Sequence, residues 1–173
     1  MEKIKVLISE EEVDKRIREM AAEISKKYEG KTLHLICVLR GGAFFMCELA
    51  KRLTVPVTID FMSVSSYGDG TESSGQIKIV KDLDDSIAGR DVLVVEDIID
   101  SGRTLSRLME LLESRRPASL ALCTLLDKPE RRVVEVDVDY TGFQIPDLFV
   151  VGYGLDCAQK HRNYPFVGVV EIE

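Results

Sequence analysis

Between Val95 and Thr104 the sequence reads VEDIIDSGRT. Three carboxylates, Glu96, Asp97 and Asp100, stand behind the apolar run Val92-Leu93-Val94-Val95 and ahead of Ser101, Gly102, Arg103 and Thr104. The apolar run reads as a buried strand, and the small polar residues open a helix expected over about 104–114. Amides at 101–104, together with the helix dipole, favour a phosphate monoester. Ser101 and Gly102 are small enough for a close backbone approach, and the Ser101 and Thr104 hydroxyls donate as well. The acids would repel that phosphate. They suit ribose hydroxyls, a divalent cation, or a proton to be accepted. A phosphate beside vicinal hydroxyls describes a ribose 5-phosphate with a reactive, cation-linked end. A bare acid pair before a helix is more often a solvated strand end with an N-cap, so the weight rests on the whole pattern.

The elements that must hold this stretch follow from periodicity. Ser9 with Glu12 forms a capping box, and Val13, Ile17, Met20, Ala21, Ile24 and Tyr28 recur at helical spacing. LHLICVL (33–39) is a buried strand, RGG turns the chain, and AFFMCELAKRL (43–53) is a helix. VTIDFMSVSS (57–66) is a strand, YGDGTESSG (67–75) a glycine-bearing flexible loop, and QIKIVK (76–81) a half-exposed strand. DLDDSIAGR (82–90) is a solvated turn, and SLALCTLL (119–126) a further apolar strand. His34, inside an apolar strand, is expected to be a satisfied core histidine. Such alternation implies an α/β domain with a largely parallel sheet, and the prolines and short strand-like pieces after Asp127 elaborate the same domain. In open parallel sheets ligands bind beyond the carboxyl ends of the strands, the position that 96–104 occupies.

At 173 residues the chain is read as a single domain, 1–173. Apolar residues make up 45% and charged residues 31%, the balance of a globular protein. A net charge of -7 argues against a nucleic-acid partner held by its phosphates. Four scattered cysteines and two histidines argue against structural zinc. The first thirty residues are charge-rich and helix-like rather than a signal peptide, and no apolar run approaches the length of a membrane span. A cytoplasmic location is expected.

Four aliphatics, Glu-Asp, two aliphatics, Asp, then Ser-Gly-Arg-Thr resemble the phosphoribosyl-diphosphate (PRPP) signature of type I phosphoribosyltransferases. The form VEDIIDSG resembles that of the hypoxanthine-guanine members. The resemblance covers nearly the whole chain and implies the type I fold, with a flexible lid loop and a small hood of N- and C-terminal segments. It also implies a pyrophosphate loop at LRGG (39–42), with a cis peptide between Leu39 and Arg40 and with Arg40, Gly41 and Gly42 as ligands. The lid matches 65–79, including Ser66 and Tyr67. Glu96, Asp97 and Asp156 match the metal-site acids, and Ser101, Gly102, Arg103 and Thr104 the phosphate cradle. Lys128 matches the reader of a purine 6-oxo group, Phe149 the stacking aromatic, Val150 the backbone at the base edge, and Arg162 a late arginine on pyrophosphate. Leu148 departs from relatives with a charged residue there, whereas Arg40 keeps the charge of a lysine.

What the resemblance implies is purine salvage: Mg2+-dependent transfer from PRPP to hypoxanthine or guanine, with Asp100 as catalytic carboxylate. A homodimer or homotetramer with no membrane partner goes with it. Two alternatives are a regulator on the same fold that senses PRPP or nucleotide, and a related xanthine transferase. A sensor needs neither the base-reading lysine nor the catalytic acid, so the enzyme is favoured.

Overall fold

The computed structural model describes residues 2–66 and 76–172. In chain order the elements are β1 (Glu2–Ile8), α1 (Glu10–Lys27), β2 (Leu33–Val38), α2 (Ala43–Arg52), β3 (Val57–Ser66), β4 (Ile77–Lys81) and β5 (Asp91–Ile99). They continue with α3 (Arg103–Ser114), β6 (Ser119–Asp127), a short 3-10 turn (Pro129–Arg131), β7 (Tyr140–Gln144), β8 (Val150–Val151) and β9 (Val167–Ile172). The large sheet runs β4-β3-β2-β5-β6-β7, and the small one β1-β9-β8. Within the large sheet β3, β2, β5, β6 and β7 are parallel, and β4 returns antiparallel on the β3 edge.

Strand β5 runs on to Ile99, so Glu96 and Asp97 lie within the strand rather than after it, and α1 stops at Lys27 rather than near Gly30. Most other expected elements are present within a residue or so of their ends, for a visible reason. Leu33, Leu35 and Cys37 of β2, with Leu93 and Val95 of β5, pack with Ile17, Met20 and Ile24 of α1 and Phe45, Met46 and Leu49 of α2. The alternate residues Ile36, Val38, Val92 and Val94 meet Leu105, Leu108 and Leu112 of α3. Both faces of the sheet are therefore covered, and its central strands read as unbroken apolar runs. The capping box holds: Ser9 N donates to Glu12 Oε2 at 2.8 Å, and Glu12 N donates to Ser9 Oγ at 3.2 Å.

Two expectations need correction. The amino terminus is not helical throughout. Residues 2–8 form β1, antiparallel to β9, whose partner residues lie at the far end of the chain. Together with β8 these strands make the expected hood. His34 is buried but only half satisfied. Its Nδ1 lies 2.6 Å from Thr58 Oγ1, while Nε2 has no hydrogen-bond partner among the described residues. Burial first, then the Arg90 charge, lowers its pKa.

Strands β2 and β5 are neighbours, yet their following connections lead to opposite sides, β2 to β3 and β5 to β6. The strand order reverses between them, and a parallel sheet opens its crevice at such a switch point. The carboxyl end of β5 and the loop after it carry the opening motif, and the turn after β2 carries LRGG.

Candidate active site

The β5–α3 connection is short and tightly held. Gly102 caps α3 from the left-handed region, at φ 79°. A Cβ there would stand 2.6 Å from the Val134 carbonyl oxygen, so its glycine is required by the chain that covers it as well as by φ. That covering segment, 128–134, donates into successive carbonyls of the loop. Lys128 N reaches Ile99 O at 3.0 Å, and Arg132 Nε reaches Asp100 O at 3.3 Å. Val133 N and Val134 N both reach Ser101 O, at 2.9 and 3.0 Å. Arg132 is fixed in turn by an ion pair to Asp127, both side chains being largely buried. Ser101 Oγ accepts from Arg103 N at 3.4 Å. A cavity of about 220 Å³ opens over this loop, with Glu96, Asp100, Ser101, Gly102 and Thr104 in its wall.

Across the switch point Leu39–Arg40 is a cis peptide, at the bond where one was expected. Gly41 lies against the acids: a Cβ there would fall 1.7 Å from Asp97 Oδ2. Burial, then the Asp97 charge, pushes the Glu96 carboxyl well above the ordinary range. Burial raises Asp97 too, against hydrogen bonding from Ile98 N at 2.7 Å and the charge of Arg162. Two adjacent carboxyls held toward their protonated forms are a donor set that a hard divalent cation relieves. Among the described residues no group of three acids, histidines or cysteines could hold a metal by itself. A cation here would complete its shell with water and substrate oxygens, a habit that suits Mg2+.

The remaining expected residues fall in two groups. Arg40, Asp156 and Arg162 meet on one side. Arg162 Nη2 stands 3.2 Å from Asp156 Oδ1, and both arginines donate to Gln159 Oε1. Lys128 lies beside the β5–α3 loop, and Phe149 and Val150 follow its partner Asp147 in the chain. The Lys128 side chain, 10% exposed, puts its Nζ 3.6 Å from Asp100 Oδ1 and 3.7 Å from Asp147 Oδ1. Phe149 is 57% exposed although LFVV reads as core, and Val150 is buried in β8. Ser66 is the last residue of β3, while Tyr67 and the rest of the lid through Gly75 lie outside the described residues.

Sequence reasoning passed over Asp147, Gln159, Arg131 and Arg132. Asp147 pairs with Lys128 and also with Arg131, at 3.7 Å each. Its place two residues before the exposed aromatic was the one available signal.

The family model for the phosphoribosyl transferase domain matches residues 8–158. The chain is 51% identical over 167 residues to the hypoxanthine-guanine phosphoribosyltransferase of Bacillus subtilis, covering 96% of this chain and 93% of that protein. It is 54% identical to the bifunctional protein TilS/HprT of Listeria monocytogenes, of whose length it spans 26% while 98% of this chain is matched. Among solved structures, a hypoxanthine-guanine phosphoribosyltransferase of Bacillus anthracis superposes with a TM-score of 0.93 at 47% identity, over 99% of this chain and 100% of that one. Matched by that family model over 8–158 and by these relatives over nearly its full length, the chain belongs to the phosphoribosyltransferase family, in its hypoxanthine-guanine group.

Proposed function

We propose that this chain transfers the 5-phosphoribosyl group of PRPP to N9 of hypoxanthine or guanine, releasing pyrophosphate. The observation that carries this reading is the 3.6 Å approach of Lys128 Nζ to Asp100 Oδ1, at the mouth of the loop suited to a 5-phosphate. A 6-oxopurine presents O6 and N7 side by side on one edge. An ammonium can only donate, which suits O6, and a carboxylate accepts, which suits a proton on N7. Phe149, exposed two residues after Asp147, is free to meet the face of the same ring.

On this reading the amides of Ser101–Thr104 and the Thr104 hydroxyl hold the 5-phosphate, while Glu96 and Asp97 hold the ribose hydroxyls. Arg40, the Gly41 and Gly42 amides and Arg162 receive the charge that grows on pyrophosphate as the C1–oxygen bond breaks. Glu96, Asp97 and Asp156 would hold magnesium, which when bound would neutralise charge on the leaving group. Asp100 takes the N7 proton as N9 attacks C1.

The test is turnover of hypoxanthine, guanine, xanthine and adenine with PRPP and magnesium, followed by pyrophosphate release. Both hypoxanthine and guanine should react and adenine should not. Asp100→Asn should lower kcat by roughly two orders of magnitude, the scale of losing a general base, with PRPP affinity kept. Near-normal kcat in that variant would remove Asp100 from the role.

A further inference from the structure

Segment 158–161 is unusual in its backbone. Ala158, Gln159 and His161 have φ of 49°, 67° and 74°, three non-glycine residues in the left-handed region within four positions. Non-glycine residues in this region are strained unless their surroundings hold them. The contacts that hold Gln159 are specific. Its backbone N donates to Asp156 Oδ2 at 2.7 Å. Its side-chain Oε1 accepts from Arg40 Nη1 at 3.0 Å and from Arg162 Nη2 at 3.0 Å. Arg162 is anchored further by Nη1 donating to Gly154 O at 2.6 Å. One neutral oxygen thus joins two guanidinium groups from loops 119 residues apart in the case of Arg40 and 3 in that of Arg162.

Two like charges sharing one acceptor have donating nitrogens no more than twice that distance apart, a separation they would widen if released. Gln159 is itself exposed, so it does not need these partners to offset burial. We propose that Gln159 is a positioning residue for the leaving group: its carbonyl oxygen joins Arg40 and Arg162 into one clamp for the pyrophosphate end of PRPP, and its neutrality leaves their charge for the anion. The inference rests on the function proposed above, which supplies the pyrophosphate.

The neutral side chain is the telling feature. A glutamate of the same length would make the same two contacts, and more strongly, since charge-assisted hydrogen bonds exceed neutral ones. It would also cancel part of the positive field that the anion feels. Stability and anion affinity therefore move in opposite directions for Gln159→Glu. A residue of purely structural role would give no loss of anion affinity in a variant that adds no charge. Gln159→Leu removes the acceptor and lets the arginines separate, without a new charge.

The experiment measures binding of magnesium pyrophosphate and of magnesium PRPP by calorimetry, together with KM for hypoxanthine and the melting temperature. Gln159→Leu is expected to weaken both anions about fivefold, the scale of one lost hydrogen bond, with KM for hypoxanthine within about twofold. Gln159→Glu should weaken them at least as much while melting no lower than the unsubstituted protein. Anion binding by Gln159→Glu equal to or tighter than that of the unsubstituted protein overturns the clamp. If the unsubstituted protein binds neither anion, the function itself falls and the clamp with it. If it binds both, and both variants bind them equally well, Gln159 alone loses its role.

Discussion

Replacing Lys128 with methionine keeps the length of the side chain and removes its charge. The ammonium it deletes is nearly buried and faces two carboxylates, Asp100 at 3.6 Å and Asp147 at 3.7 Å. Removing one partner of a fully buried ion pair is costly because it strands the other. Here the stranded acids are 50% and 47% exposed, so water reaches them and the penalty is screened. The stability loss should stay near 1 kcal/mol, which shifts the melting temperature of a domain this size by about 2–4 °C. Activity should respond far more. A hydrogen bond from a charged donor to O6 contributes about 1.5–3 kcal/mol, so kcat/KM for hypoxanthine and guanine should fall roughly 10- to 150-fold. Adenine, which offers a donor where these bases offer an acceptor, should gain little. The gap between the two classes closes from the favoured side. The assay is kcat/KM for each base at saturating PRPP, beside a thermal melt. A loss below about threefold on hypoxanthine, or equal turnover of adenine and hypoxanthine by the unsubstituted protein, would refute base reading by Lys128.

Gly102→Ala should lower the melting temperature by about 4–8 °C, because a Cβ meets the Val134 carbonyl at 2.6 Å and φ is 79°; an unchanged melt would show that segment 128–134 yields easily. Phe149→Ala should barely move the melt, since the ring is 57% exposed, yet raise KM for the purine about tenfold through lost stacking; the reverse pattern would return Phe149 to the core. Glu96 and Asp97 have raised pKa values, so the folded protein binds more protons than the unfolded chain above the ordinary carboxylate range. Their contribution to stability is full below that range and is lost as pH rises through the raised values. Without metal, Glu96→Gln should therefore melt increasingly above the unsubstituted protein as pH rises. Magnesium should stabilise the unsubstituted protein more at pH 8 than at pH 5, and a pH-independent difference in both comparisons would contradict the buried acid pair.

What could be read in the sequence was whatever the chain encodes locally. The β5 run, its acids and the helix after them lie within twenty-four residues and carry their own periodicity, so the strand and helix were visible there together with the residues that could do chemistry. The same holds for β2 and its glycine turn. Gly102 stood out in the sequence as small enough for a phosphate to approach; that the Val134 carbonyl also requires a glycine there was not visible. Elements whose identity depends on a distant partner were harder to see. β1 carries lysines and becomes a strand because β9 pairs with it from the other terminus. Lys128, Phe149 and Arg162 had no local signal that set them apart from loop and core residues, and only the order of the family's motifs singled them out. Asp147, Gln159 and Arg132 lacked even that. Their roles arise where loops meet in space, as when Arg132 reaches from one loop to the carbonyl of Asp100 in another.

The two ends of the proposed site differ in what holds them, and the difference matches what each end must do. The loop 99–102 is held by backbone carbonyls that accept from Lys128 N, Arg132 Nε, Val133 N and Val134 N. No ligand can replace those bonds without unfolding the connection, so the cradle is set before any phosphate arrives. The cations are held otherwise. Lys128 rests on Asp100 and Asp147, and Arg162 in part on Asp156, through side-chain contacts that an incoming oxygen can take over, while Gln159 and the Gly154 carbonyl keep their hold on the arginines. A 5-phosphate is common to the substrate PRPP and the product nucleotide, and nothing requires its seat to change during the reaction. Pyrophosphate must leave, and a base must enter beside it. On the proposed reading, a fixed cradle for the shared group and exchangeable partners for the groups that come and go would let the charge on Arg162 and Lys128 pass from protein acceptors to ligand and back. On the same reading, Asp100, Asp147 and Asp156 have a second use beside their part in the reaction: they hold Lys128 and Arg162 in place between turnovers.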